Sequence, residues 1–514
     1  MSEVIDSNLE KKNGIVTVDS VTGGSSAENR LLSSKKVDWK TKIRGIIWDS
    51  LDKSPEERKF VFKVDCWVMS YICVAYFVKY LDSMNVSNAY VSGMKEELHF
   101  GGLQYNYLST WYYIGYIIGQ IPSQVAINYI RPSIWLPANE LLYGAFVMAM
   151  AGAKDVKTLY ALRFFIGLFE STAYVGIMTI LSNFYLPDEL GKRTCIFQTS
   201  SSAAQMFSGY LQTGLHKGMD GVGGLSAFRW LFIFDGIITI PVAIVGFFAI
   251  PDEPLSSKAF WFNEKDREIA ISRLKRGNRN TKPNMKFQDF LDMCVDWPIY
   301  LFSLSFICHV VAIRLYGYMN LWLKSTGTFS ISQINNLPTA GYGLQIFATL
   351  CWAWLSDAVG NRWSIITLAC TPAIIGSIIL WVWPSNQSAL FAGWYLMFAE
   401  TGAGALFISW MSETLGTAVE QRYLMIGVAE ATSFIFTAAI PIYLYPADKA
   451  PRYPYAYPIT FMFFTLEAVV TLVIALIQRL ERKGVLRNKH LFLSKTQEIL
   501  IEEEQARKDN KEAV

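Results

Sequence analysis

The chain has 514 residues, of which 52% are hydrophobic, 15% aromatic and only 17% charged, where an ordinary soluble protein carries roughly a quarter charged residues. Its apolar residues fall in runs of about twenty, the length that crosses a hydrocarbon core of about 30 Å, which excludes a cytosolic enzyme and a disordered scaffold. The net charge of +3 arises from 46 basic and 43 acidic residues placed mostly in tails and loops, so a nucleic-acid partner has no support.

Residues 1–60 are hydrophilic (Lys11, Lys12, Ser25, Glu28, Lys35, Lys36), so no cleaved secretory signal is expected and the first membrane helix should direct insertion. Twelve spans follow, starting near Val61, Gln104, Ser133, Thr158, Thr194, Phe228, Pro298, Asn336, Trp363, Ala389, Tyr423 and Pro454. The runs are too long for strands and do not alternate, and a spanning backbone must satisfy its own hydrogen bonds, so they read as helices. The fold class is an all-α membrane protein with a six-plus-six arrangement. Its expected parts are a cytosolic tail (1–60), a six-helix bundle (61–250), a cytosolic linker (251–297), a second six-helix bundle (298–478) and a cytosolic tail (479–514). The short loops with Arg131, Lys192, Arg193, Arg362 and Arg422 all fall on the side of the two ends, which places both termini in the cytosol.

In the linker, Asn263 is positioned to cap a helix whose first turn is acidic and whose end is basic, and charge patterning makes it a solvated helix. Cys66, Cys73, Cys308, Cys351 and Cys370 sit in apolar runs, where they read as small hydrophobes. No CxxC or zinc-spaced Cys/His cluster occurs, and neither a metal nor a cofactor is expected. Two sequons, at Asn85 and Asn386, fall outward but close to the membrane.

An ionisable group deep in a span costs about 2.5–3.5 kcal/mol on insertion scales, so each one needs a partner or a role. The first span carries Lys79 and Asp82, and the fourth carries Arg163 and Glu170. Arg163, Gly167 and Glu170 share one face, with Gly167 admitting a neighbouring helix. Arg163 lies at about the depth of Asp82, and Glu170 about 10 Å deeper at 1.5 Å per residue. This ladder reads either as a proton relay through Glu170 and Asp82, tuned by Arg163, or as a static set of ion pairs. Lys79 is either part of it or snorkels to the outer surface.

In the seventh span, Arg314 has no acid on its own helix. It is a candidate bidentate anchor for a substrate carboxylate, unless Glu400 of the tenth span pairs with it structurally. Tyr318 and Asn320, further along the seventh span, and Glu400 count with it as candidate substrate contacts. His309 reads as a packed helix histidine or as a site group. In the aromatic second span, Tyr112 and Tyr116, one turn apart, are positioned to face a cavity. Glu140, Glu430 and Glu467 have no basic partner on their own helices and receive no role.

Ser356-Asp357-Ala358-Val359-Gly360-Asn361-Arg362 resembles the D-x-x-G-x-R signature of major facilitator transporters, with Asp357, Gly360 and Arg362 as its conformational motif. Its counterpart after the second span is reduced to Asn128-Tyr129-Ile130-Arg131-Pro132. The run from Ala161 to Ser171 resembles the Arg-x3-Gly signature of that superfamily with the extra Glu of its anion:cation symporter branch. Phe228 to Gly236 and Tyr80 to Asn85 add to the likeness. Asn88 to Leu98 is similar to the fungal allantoate-permease group, in particular its pantothenate permeases. One departure is Ser83, where the branch carries Arg after Asp82; Lys79, on the same face, is a candidate replacement.

The resemblance implies a monomeric, multi-pass plasma-membrane transporter in which two bundles rock about a mid-membrane site. It would import a small anionic vitamin, first pantothenate, together with protons. Biotin, nicotinate and allantoate are the alternative substrates, and a non-transporting nutrient receptor is the alternative class. No nucleophile elbow or phosphate loop points to an enzyme.

Overall fold

The computed structural model describes residues 53–254, 257–276, 297–414, 419–453 and 455–483. The two tails as far as residue 52 and from residue 484, and linker residues 277–296, lie outside the described residues. Among the described residues the helices form twelve rods of membrane length. In the N-terminal half these are Pro55–Glu97, Gln104–Tyr129, Pro132–Met150, the pair Val156–Glu170 and Ala173–Phe184, Pro187–Gly218 and Ala227–Ala249. In the C-terminal half they are Trp297–Ser325, Ile331–Val359, Arg362–Val382, the pair Gln387–Phe398 and Ala403–Thr414, Val419–Leu444 and Ala456–Arg482. They are called the first to twelfth spans below. Seven of them are long and apolar enough to cross a membrane by length and composition alone.

Local chemistry sets the ends of these rods. Ser54 caps the first span by accepting from the Glu57 N–H, with Pro55 at the first helical position, where a missing N–H costs nothing. Asp155 accepts from the Thr158 N–H at the start of the fourth span, and Ser330 and Gln333 form a capping box at the start of the eighth. The eighth span stops at Gly360, whose φ of +67° is left-handed, a conformation a side chain would strain.

The first, third, fifth and sixth spans pack together, as do the second and fourth, while the seventh, eleventh and twelfth and the ninth, tenth and twelfth form the corresponding contacts of the other bundle. The bundles meet along the fifth and eighth spans and along the second and eleventh. The second and fourth spans touch backbone to backbone: a Cβ on Gly167 would lie 2.0 Å from the Tyr112 carbonyl oxygen, and one on Gly115 would lie 2.1 Å from that of Phe164. In lipid, such close approach of small residues is what holds helices together. Gly167→Ala is therefore expected to force the two helices apart at a cost of about 1–3 kcal/mol or more, read as a lowered melting temperature of the detergent-solubilised protein.

The linker helix Glu264–Arg276 differs from the solvated helix expected of its charge pattern. Arg273 is 2% exposed and bridges Glu57 and Glu189 at 2.5 Å each, and Lys63 reaches Asp266 at 2.6 Å. The helix is thus docked on the starts of the first and fifth spans, because its basic end finds acids there that are far away in sequence. Asn85 is fully buried and bonded to Asp235, so the first sequon presents no accessible amide for a glycan.

Candidate functional site

Between the bundles lies a cleft lined from the middles of several spans. The N-terminal bundle contributes Tyr76, Lys79, Tyr80, Tyr116, Tyr174, Gln198, Ser201 and Gln205. The C-terminal bundle contributes His309, Arg314, Tyr316, Gln345, Thr349, Thr401, Glu430, Ser433 and Phe434. Lys79, Arg314, His309 and Tyr116 were all expected at a site, and the fold brings the four together.

Arg314 sits where the seventh span tightens from α-helix into a 3₁₀ turn, Arg314–Tyr318. Its guanidinium lies 5.5 Å from the centre of the Tyr113 ring, and its Nε has no hydrogen-bond partner. A ring face holds a cation without using up its hydrogen-bond donors, so the fork remains available to a ligand. The expected structural partner of Arg314 is elsewhere. Glu400 lies in the turn between the two helices of the tenth span and meets His309, whose Nδ1 is 2.7 Å from Glu400 Oε1 and 3.2 Å from Glu467 Oε1. That turn re-aims the side chain away from the face a continuous helix would give it.

On the other wall, Lys79 stacks 5.0 Å from the Tyr116 ring centre and reaches Glu170 at 3.7 Å. Arg163 and Asp82 face each other at 3.8 Å, matching their equal depth. All four are at least nine-tenths buried. Asp235 of the sixth span, fully buried, accepts from Asn85 Nδ2 at 2.8 Å. It is a third acid of this cluster that sequence reading left out, although it lies within the Phe228 to Gly236 run. Three carboxyls thus face two cations, and the cluster is neutral only when one carboxyl carries a proton. Lys79 serves Glu170 and not Asp82, so it does not stand in for the arginine absent at Ser83 in that pairing.

The remaining expected contacts lie off the cleft. Tyr112 packs on Tyr113 and Tyr116. Tyr318 packs against Tyr445, the rings tilted by 30°. Asn320 Nδ2 donates to Asn88 Oδ1 at 2.7 Å, part of a polar clamp between the bundles that also joins Asn335 to Ser92 at 3.0 Å and Asn106 to the Tyr445 carbonyl at 2.9 Å. This clamp ties the bundles at the end remote from the chain termini. At the terminal end, Arg362 holds Asp357 at 2.5 Å and Glu413 at 3.0 Å across the turn made by Gly360. Glu430 was left without a role in the sequence; it lines the cleft with a buried Oε2 that has no partner. Glu140 accepts from the Tyr71 hydroxyl at 2.5 Å in a separate hollow of the N-terminal bundle.

A cleft between two packed six-helix halves, with the Asp357/Gly360/Arg362 turn at one end, is the setting in which the sequence comparisons become informative. The model of the Major Facilitator Superfamily matches residues 72–441. The chain belongs to this superfamily. Among its relatives in the superfamily, the MFS transporter PfmaC of Pestalotiopsis fici is 34% identical over 86% of this chain and 84% of that protein. The pantothenate transporter liz1 of Schizosaccharomyces pombe is 32% identical over 77% of this chain and 78% of its own length. The crystal structure of a D-xylose-proton symporter superposes with a TM-score of 0.60 at 13% identity, covering 80% of this chain and 97% of the other; at that identity the likeness speaks for the fold. The chain is thus a multi-pass membrane transporter, and not an enzyme.

Proposed function

We propose that this transporter imports a small monocarboxylate, pantothenate first among the candidates, together with protons across the plasma membrane, as a monomer with both ends in the cytosol. In this reading residues 61–250 and 298–478 are the two rocking units and residues 251–297 tether them. The observation that carries the proposal is Arg314. It is a cation on the cleft wall, held by an aromatic ring, with a guanidinium nitrogen lacking a partner and, among the described residues, no ion pair with a carboxylate. A substrate carboxylate completes it, and Lys79 on the facing wall supplies a second positive charge. The relative named as a pantothenate transporter supports the choice of vitamin.

Proton coupling rests on the N-terminal cluster. Asp82, Glu170 and Asp235 outnumber Lys79 and Arg163 in a water-poor interior where uncompensated charge is costly. A proton on one carboxyl neutralises the cluster, and Lys79 links that cluster to the cleft through Glu170. Arrival of a substrate anion near Lys79 would loosen its hold on Glu170 and favour protonation there, which makes the two bindings cooperative.

The test of substrate is a competition-uptake panel in a host lacking its own vitamin permeases, with labelled pantothenate displaced by pantothenate, biotin, nicotinate or allantoate. Unlabelled pantothenate is expected to compete at the lowest concentration. Uptake that is blocked better by one of the other three would reassign the substrate, and binding without uptake would favour a receptor.

A further inference from the structure

Span seven, the turn of span ten and span twelve bring together three titratable groups, of which His309 lines the cleft and the two acids do not. His309, Glu400 and Glu467 are 3%, 0% and 0% exposed, and their nitrogen and oxygen atoms lie within 4.8 Å of one another. We propose that this triad is a second proton-binding site, in the C-terminal bundle, so that two protons accompany each monocarboxylate and transport moves net positive charge inward. The inference rests on the symport reading above and adds its stoichiometry.

Four observations support it. First, two carboxylates converge on the same imidazole nitrogen, Glu400 at 2.7 Å and Glu467 at 3.2 Å. A single imidazolium neutralises one carboxylate, and the other requires a proton of its own if the buried group is to be neutral. Second, Glu400 Oε2 and both oxygens of Glu467 are buried without a hydrogen-bond partner, so lone pairs are available to accept it. Third, the triad has a path to water: His309 and its neighbours Thr401, Gly402 and Gly404 line the cleft, while Glu467 stands behind them. Fourth, Glu400 lies in the break of the tenth span, where neighbouring groups approach closely: a Cβ on Gly404 would be 2.7 Å from His309 Nε2, and one on Gly402 would be 2.6 Å from the Thr349 backbone. Taking up or releasing a proton there changes the bonding at a hinge.

The other titratable or charged groups around the triad are Cys308 on the seventh span, Cys370 on the ninth, Glu430 on the eleventh and Arg314 further along the seventh. None of them bonds to the triad among the described residues. Nδ1 of His309 is at hydrogen-bond distance from Glu400, which makes it a donor within the triad, and this favours a proton as the ligand over a metal ion.

The charge balance gives the test. A monocarboxylate with one proton crosses as a neutral pair, whereas with two it crosses as one positive charge, for which an inside-negative potential of 100 mV is worth roughly 50-fold in accumulation. Purified full-length protein in proteoliposomes, with pantothenate as substrate and a potassium diffusion potential imposed by valinomycin, should show this gain. Glu467→Gln, placed away from the cleft, should keep accumulation driven by a pH gradient and lose the response to voltage, with KM changed less than about twofold. Wild-type accumulation that ignores voltage would overturn the proposal while leaving symport intact; wild-type uptake that ignores the pH gradient as well would overturn symport itself. Infrared difference spectra of substrate-free protein across a pH titration provide the measurement that does not depend on transport. A titrating carboxyl band of the wild type should vanish in Glu467→Gln or in Glu400→Gln. A band unchanged in both, or Zn²⁺ binding that Glu467→Gln abolishes, would overturn the site.

Discussion

Glu170→Gln is expected to exchange substrate across the membrane at near wild-type rates but fail to concentrate it. Each coupled proton and a gradient of one pH unit, about 1.4 kcal/mol, contribute roughly tenfold accumulation; because Glu170 is the acid that links proton binding to substrate binding through Lys79, its loss should bring the ratio to about one even where the His309 triad still takes up a proton. The reason is geometric. Glu170 is the acid of the N-terminal cluster that touches a cleft residue, through Lys79 at 3.7 Å. A glutamine there mimics the permanently protonated carboxyl. Lys79 is then not stranded, because Glu430 lines the same cleft, so the variant should fold and bind. Counterflow and uptake at pH 5 and pH 7.5 in the same vesicles separate the outcomes. Preserved pH-driven accumulation would move the role to Asp82, Asp235 or His309. Loss of exchange together with expression would make Glu170 a structural residue.

Arg314→Lys should raise the apparent KM by about 10- to 100-fold with a smaller change in maximal rate, the range set by one charge-assisted hydrogen bond of about 1.5–3 kcal/mol. Lysine keeps the charge but loses the planar fork and most of the ring contact with Tyr113. Arg314→Ala should be weaker still, since no other cation among the described cleft residues of the C-terminal bundle replaces it unless His309 leaves its carboxylates. A lysine variant with normal affinity would make the guanidinium a packing group for the tyrosines around it.

The spans were legible because each is a run of apolar residues long enough for lipid, and even the equal depth of Asp82 and Arg163 followed from helical rise. Pairings between distant spans were harder to read. Glu467 had no basic neighbour on its own helix, and its partner His309 is reached only when the seventh and twelfth spans pack. Glu400 was expected near Arg314 as if the tenth span were a continuous helix; the turn at residues 399–402 directs it to His309 instead. The 3₁₀ segment that presents Arg314 has no proline to announce it. The linker helix reads as solvated from its charges alone, and only the acids Glu57 and Glu189 of other spans reveal that Arg273 is buried. Local patterns thus gave the helices and their charged faces, while the site's wiring depends on where helices break and what packs across them.

The central claim is that a carboxylate and protons move together through this cleft. It is tested most directly by recording external pH while pantothenate is added to proteoliposomes containing only the purified protein, with the membrane potential clamped at zero. The account predicts alkalinisation that begins with pantothenate, scales with its uptake, and disappears in Glu170→Gln. Pantothenate uptake with no accompanying proton movement would contradict it.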